Sequence, residues 1–323
     1  MKREDIQILR GIAIVAVVVI HTYPMGYGGV IIRAFVNFAV ALFFFLSGYL
    51  TIIDIDTKSL WKRVKKVLLP YVVWSLLYAL LSGKNGLTVL TGNVLLGLVT
   101  GTCSFHLYFV LVYIQITMLT KVCTFVLCSK FKNIFLFISP VAILVFHYLM
   151  PYAGVQVTET VVRSNFLVWL SYYYIGLGIG NHKLNCLSNR VAIITTSAFF
   201  ILSIAEGIYW YTNNNNVMAT TQLRISSCLY AMAVAYMCGG VLESKQLIQW
   251  SRKTDLFILL GELSGGIYFL HVFIIRIIKI IGRTVPPVTT FPINTVLTVF
   301  ISAVIILICK KILPKKLCVA MGF

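Results

Sequence analysis

The stretch Ile8-Leu9-Arg10-Gly11-Ile12-Ala13-Ile14-Val15-Ala16-Val17-Val18-Val19-Ile20-His21 decides how this chain is read. Between the arginine and the histidine no side chain is polar. A run this apolar belongs in a helix surrounded by protein or lipid, where an ionisable side chain costs about 2.5–3.5 kcal/mol at the bilayer centre on insertion scales. Eleven steps of about 100° bring Arg10 and His21 to within about 20° of one another on a helix, about 16–17 Å apart along its axis. Two readings stand. A guanidinium near one mouth and an imidazole deeper in mark the two ends of an extended slot, or Arg10 snorkels to the headgroups and His21 bonds a neighbouring helix.

The rest of the chain continues the pattern. Of 323 residues 59% are hydrophobic and 11% charged, and the mean hydropathy is +0.94. Soluble domains carry about 25% charged residues. A soluble enzyme, a disordered protein and a disulfide scaffold are excluded, and the apolar surplus must face lipid. Ten runs are long enough to read as spanning segments, at 6–25, 33–53, 65–83, 105–127, 133–150, 163–180, 190–211, 222–242, 255–281 and 291–312. The expected architecture is therefore all-α: a polytopic membrane bundle of about ten transmembrane helices, forming one integral-membrane domain over 1–323.

The charges set the orientation. The net charge is +18. With the N-terminus inside, the inner segments hold eighteen basic residues, among them Lys58, Lys62, Arg63, Lys65, Lys66, Lys130, Lys132, Lys183, Lys310 and Lys311. The outer segments and helix ends hold five: Arg33, Lys84, Arg163, Arg224 and Arg283. That asymmetry predicts both termini on the cytoplasmic side and makes topology, not nucleic acid, the reason for the basic balance. The first run has a basic start and a short apolar core, but His21-Thr-Tyr-Pro offers no small-residue cleavage site, so it reads as a retained span. The stretch Gly86 to Gly101, apolar but broken by glycines, reads as a re-entrant or interfacial segment. The eight cysteines form no CxxC and read as small packing residues, with no metal site.

Further polar residues punctuate the helices. In Phe43-Phe44-Phe45-Leu46-Ser47-Gly48-Tyr49, Gly48 permits close helix approach and Ser47 can bond across it. Lys62-Arg63-Val64-Lys65-Lys66 before Pro70 is a topological signal, a lipid-phosphate contact or a site for an anionic soluble ligand. His106 opens the fourth run and His271 sits mid-helix; Glu206, Arg163, Arg224 and Arg276 read as ion pairs within the bundle or as an acceptor-binding mouth.

These motifs, in this order along the whole chain, resemble the membrane-bound acyltransferase 3 family. Ile8-Leu9-Arg10-Gly11-Ile12-Ala13 ending at His21 is similar to its arginine, ten residues, histidine signature, and Phe44-Phe45-Leu46-Ser47-Gly48-Tyr49 to its second-helix motif. Arg63-Val64-Lys65-Lys66 is similar to its arginine-x-x-arginine segment, with Lys66 keeping the charge but losing the guanidinium fork. His106-Leu107-Tyr108-Phe109 and Ile267-Tyr268-Phe269-Leu270-His271 are similar to further runs of the family.

The resemblance implies a ten-helix enzyme that moves an acetyl or other short acyl group from cytosolic acyl-CoA to a hydroxyl of a cell-envelope polysaccharide or its lipid-linked precursor. It implies the stand-alone form, without a fused esterase-like domain. Acetyl-CoA is then a co-substrate and no cofactor is permanently bound. The partners are membrane lipid, acyl-CoA and a glycan or lipid-linked glycan, with no nucleic acid, and the expected location is a bacterial plasma membrane. Arg10, Arg63 and Lys66 are the expected contacts for the coenzyme phosphates. His21 is the expected base or acyl carrier. Ser47 and His271 are expected to orient groups or stabilise the oxyanion. The alternative reading is a polysaccharide exporter or flippase on the same scaffold, separated from the enzyme by whether acetyl-CoA raises the melting temperature.

Overall fold

The computed structural model describes residues 4–82, 93–244 and 255–323. Among these, every regular element is helical. Helix α1 (Glu4–Thr22) carries Glu4 and Asp5 in its first turn, where the helix dipole favours negative charge, and His21 in its last. Helices α2 (Tyr27–Val36) and α3 (Ala39–Tyr49) together form one 23-residue span. Helix α4 (Thr57–Ser82) starts behind Asp56, whose carboxylate accepts the Ser59 N–H at 2.6 Å. Hydrogen bonds from the Ser59 side chain and backbone hold that carboxyl below the usual carboxylate range.

The short α5 (Asn93–Thr100) follows, and then α6 (Tyr108–Met118) and α7 (Thr120–Leu127), which meet at 51°. The bend has a local cause: the Thr117 hydroxyl donates to the Tyr113 carbonyl and that of Thr120 to the Thr117 carbonyl, both drawing on the helical ladder. Next come α8 (Ile138–Leu144), α9 (Met150–Tyr152) and α10 (Glu159–Arg163). The buried α11 (Leu167–Gly180) is followed by α12 (Asn189–Thr212), α13 (Asn216–Thr220) and α14 (Ile225–Ser244). The chain ends in α15 (Asp255–Ile281), α16 (Ile293–Ile312) and α17 (Lys315–Met321), the last tied to α4 by the Trp74 indole donating to the Met321 carbonyl at 3.0 Å.

All ten apolar runs fall on helix, but their lengths differ from expectation. Seven helices among the described residues are long and apolar enough to cross a membrane, and α6 with α7 makes an eighth if the bent pair is one span. The run at 163–180 becomes α11, 14 residues, which reaches about 21 Å against a hydrocarbon core of about 30 Å. The run at 133–150 becomes a similarly short apolar helix, Ile138–Tyr152. Hydropathy sums side chains and is blind to where a helix stops.

Two boundaries also move. The second span begins at Tyr27, so Arg33 lies inside it and is 7% exposed rather than at an outer helix end. Its start is made possible by Gly26, at φ 84°, and by Gly29, where a Cβ would sit 1.9 Å from the Pro24 carbonyl oxygen. The basic cluster around Arg63 belongs to α4 itself. Of the apolar Gly86 to Gly101 stretch, only the α5 half is described; Lys84, Lys245, Arg252 and Lys253 lie outside the described residues.

Two glycine crossings organise the centre. Between α3 and α11, a Cβ on Gly48 would lie 2.0 Å from the Tyr173 carbonyl oxygen and one on Gly176 2.0 Å from that of Phe45. Between α1 and α15, a Cβ on Gly11 would lie 2.2 Å from the Phe257 oxygen and one on Gly261 2.0 Å from that of Gln7. Only glycine lets backbones approach so closely. The outer faces of α4, α12 and α16 leave Leu80, Ile193, Ile194, Ile201 and Phe300 exposed, the surface that lipid covers.

Candidate active site

From the Gly11–Gly261 crossing, α1 and α15 run side by side until His21 meets His271. The two imidazoles stack with centroids 5.3 Å apart and 28° between planes. A third ring, His106 from the turn before α6, stands edge-on to His271 at 5.1 Å. Phe105 closes on His21 at 4.9 Å.

The hydrogen bonds define one tautomer. His271 Nδ1 lies 2.7 Å from the Tyr268 carbonyl oxygen and 3.1 Å from that of Ile267. Carbonyls only accept, so Nδ1 carries the hydrogen, and in the neutral ring Nε2 is a bare lone pair. That Nε2 is buried and has no hydrogen-bond partner, as is His106 Nε2. Around them, Tyr268 donates to the His106 carbonyl at 2.5 Å, Ser104 Oγ lies 3.1 Å from His106 Nδ1, and Tyr78 donates to the Phe269 carbonyl at 2.7 Å. These bonds hold the rings in place. Among the described residues no three His, Cys, Asp or Glu side chains are arranged to hold a metal ion.

His21 forms part of the wall of a cavity of about 490 Å³, within the range of small-molecule sites. Val17, Ile20 and His21 supply one wall from α1; Val40 and Phe43 come from α3, and Phe105, His106, Tyr108 and Phe109 from the start of α6. The opposite side is polar: Arg33, Glu159, Arg163, Thr221 and Gln222. A second, smaller cavity touches His21 from the side of Lys279 and Asn294.

An imidazole at the wall of a chamber inside a helical membrane bundle can move a proton or carry an acyl group. Residues 3–307 match a family described as an acyltransferase domain. The chain belongs to the acyltransferase 3 family. It is a membrane acyltransferase, and the family covers nearly its whole length. No curated protein and no solved structure matches it.

The acyltransferase brings some expected residues together and separates others. His21 and His271 meet directly. Arg10 lies on the same uninterrupted helix but not on the cavity wall, which ends at Val17 on that helix, about 10 Å short of Arg10. Phe43 and Phe109, 6.1 Å apart, stand at that end of the chamber, and Tyr113, one turn beyond Phe109 on α6, stands by Arg10. The cavity therefore reaches the His21 end of the slot expected between Arg10 and His21. Ser47 lies outside the wall of the cavity, one turn past Phe43 on α3.

Arg63 donates to Thr51 Oγ1 at 2.6 Å and to the Leu50 carbonyl at 3.2 Å, and so closes the C-terminus of α3. Lys66 is exposed. Of the outer charges, Arg224 is fully buried away from the chamber, bonded to the Ala219 carbonyl and to the Ser203 and Ser227 hydroxyls. Glu206 accepts from the Tyr148 hydroxyl. Those two are structural. Arg33, Arg163, Glu159 and Gln222 line the cavity, and the sequence had marked only Arg163 among them as a candidate for an acceptor mouth. The available signal for Arg33 was a lone arginine in an apolar stretch.

Proposed function

We propose that this acyltransferase moves an acetyl or other short acyl group from acyl-CoA to a hydroxyl of a cell-envelope glycan or its lipid-linked precursor. The observation that carries the reading is His21: an imidazole on the wall of a chamber large enough for a sugar, stacked on a second imidazole whose Nδ1 is locked to backbone carbonyls.

The chemistry follows from that pair. The free nitrogen of His21 takes the proton of the acceptor hydroxyl as its oxygen attacks the thioester carbonyl. The tetrahedral oxyanion collapses, the carbon–sulfur bond breaks, and the imidazolium returns its proton to the departing thiolate. General base catalysis of this kind contributes about 10²–10⁴-fold. The same nitrogen can instead attack the thioester and carry the acyl group as an acyl-imidazole until the hydroxyl accepts it. The coenzyme phosphates belong with Arg10, Arg63 and Lys66, toward the end of the bundle where α1 begins and α3 ends. Its arm reaches His21 by passing Phe43 and Phe109. His271 keeps His21 oriented, and the thioester is acetyl-CoA in the simplest case.

The test is transfer of radiolabelled acetyl from acetyl-CoA to envelope glycan by detergent-purified protein. Base-labile label in the glycan is the expected result. No label, or equal label with His21→Ala, overturns the reading.

A further inference from the structure

The polar side of the chamber carries two guanidiniums that the protein itself leaves incompletely satisfied. Arg33 is 7% exposed. Its Nε donates to the Thr220 carbonyl at 2.8 Å and its Cζ lies over the Tyr23 ring, 5.4 Å from the centroid, but its buried Nη1 has no hydrogen-bond partner. Arg163 lies over the Tyr108 ring at 5.6 Å, and its buried Nε also lacks a partner. Gln222 donates to the Tyr108 hydroxyl at 2.9 Å while its Oε1 is buried and unpartnered.

One carboxylate shares the chamber, and its oxygens turn elsewhere. Glu159 accepts from the Thr221 hydroxyl at 2.6 Å through one oxygen, and the other lies 3.6 Å from His147 Nε2. Among the described residues neither Arg33 nor Arg163 forms an ion pair. A buried cation without an ion-pair partner is costly, and both guanidinium side chains line the same cavity, where a bound anion would supply the missing charge.

We propose that the acceptor is anionic: Arg33 and Arg163 clamp an oxyanion on the same sugar unit as the hydroxyl that His21 acylates, or on its immediate neighbour, with Gln222 accepting from a further hydroxyl. This inference rests on the acyltransfer reading and specifies its substrate class. A guanidinium presents its N–H groups in the fork that suits a carboxylate or a phosphate equally. The two sources of that oxyanion are separated by chemistry on the acceptor.

Envelope glycan from cells making this protein is de-O-acetylated with mild base and offered in three forms: untreated, with its carboxylates reduced to alcohols, and with its phosphates removed by hydrofluoric acid. Purified wild-type protein with labelled acetyl-CoA is expected to acylate the first at full rate and one of the other two about tenfold less efficiently, the weight of one charge-assisted contact. Loss on carboxyl reduction identifies a carboxylate, and loss on acid treatment a phosphate. Equal transfer to all three forms overturns the proposal while leaving the acyltransferase reading intact. No transfer even to the untreated form overturns the acyltransferase reading and this one with it.

Arg163→Gln is the companion variant, because among the described residues that side chain makes no hydrogen bond to backbone. It is expected to raise KM for the untreated acceptor about tenfold with kcat and the KM for acetyl-CoA unchanged, and to leave the treated acceptor that wild type uses poorly unaffected. Arg163→Lys, which keeps the charge, is expected to recover part of the loss. A wild-type acceptor KM in Arg163→Gln overturns the proposal.

Discussion

His21 and His271 stack at 5.3 Å although they sit on the first and the penultimate long helix of the chain. The contact exists because α1 and α15 are pressed backbone to backbone at Gly11 and Gly261, three turns below. The Nε2 atoms of His271 and His106 are buried without a hydrogen-bond partner, while His271 Nδ1 is fixed by two carbonyls. From these relations the following outcomes are expected.

His21→Ala removes the one imidazole of the three that adjoins both cavities. Transfer from acetyl-CoA should fall by about 10²–10⁴-fold, while the variant inserts and melts within a few degrees of wild type. Initial rates and thermal melting in detergent read both. Wild-type turnover would remove His21 from the chemistry.

His271→Asn keeps a donor for the Tyr268 carbonyl and deletes Nε2 and most of the ring. It should fold, keep its KM for acetyl-CoA and lose kcat, because His21 then has no ring to lie on. A variant that loses stability but retains kcat per folded molecule would make His271 a packing residue only.

Gly11→Ala drives a methyl to 2.2 Å from the Phe257 carbonyl oxygen, and backbone cannot yield as a side chain tip can. The expected cost is about 1–3 kcal/mol, seen as a lowered melting temperature, together with lost activity as α1 and α15 part. Gly28→Ala is the matched control: nothing lies within 4 Å of its Cβ, so stability should hold or rise slightly. Equal melting temperatures for the two variants would contradict the crossing.

Arg63 should show a structural effect on top of its effect on the coenzyme, and Lys66 the coenzyme effect alone. Arg63→Ala strips two donors from the end of α3 and should lower the melting temperature. Lys66→Ala, at an exposed site, should leave stability alone and raise the KM for acetyl-CoA by about two- to fivefold, at most about 1 kcal/mol for a solvated charge. That increase should vanish at high salt. A KM unchanged at low salt would take Lys66 out of coenzyme binding.

Much of this was legible before any coordinates. A chain with 59% hydrophobic residues has to be a membrane helix bundle, and the Arg10 to His21 run is one unbroken helix because nothing between them competes with the helical ladder. The motif pairing His21 with acyl transfer pointed to the right family. The span count was less legible, because α11 is as apolar as its neighbours yet stops at Gly180, where a Cβ would meet the Tyr49 carbonyl at 2.3 Å.

The sequence by itself determined the class of the protein, its family and the helix that carries His21, since these depend on composition and on spacing within one helix. Only the tertiary structure decided what surrounds that imidazole. His106, Arg33 and Arg163 reach one chamber from separate elements, and His271 stacks behind His21. Which residues converge is set by where glycines let backbones touch and by how far a helix end is displaced, as when Gly26 and Gly29 carry Arg33 into the span. Pairwise approach of distant segments leaves no periodicity along the chain, so it becomes visible only once the helices are packed.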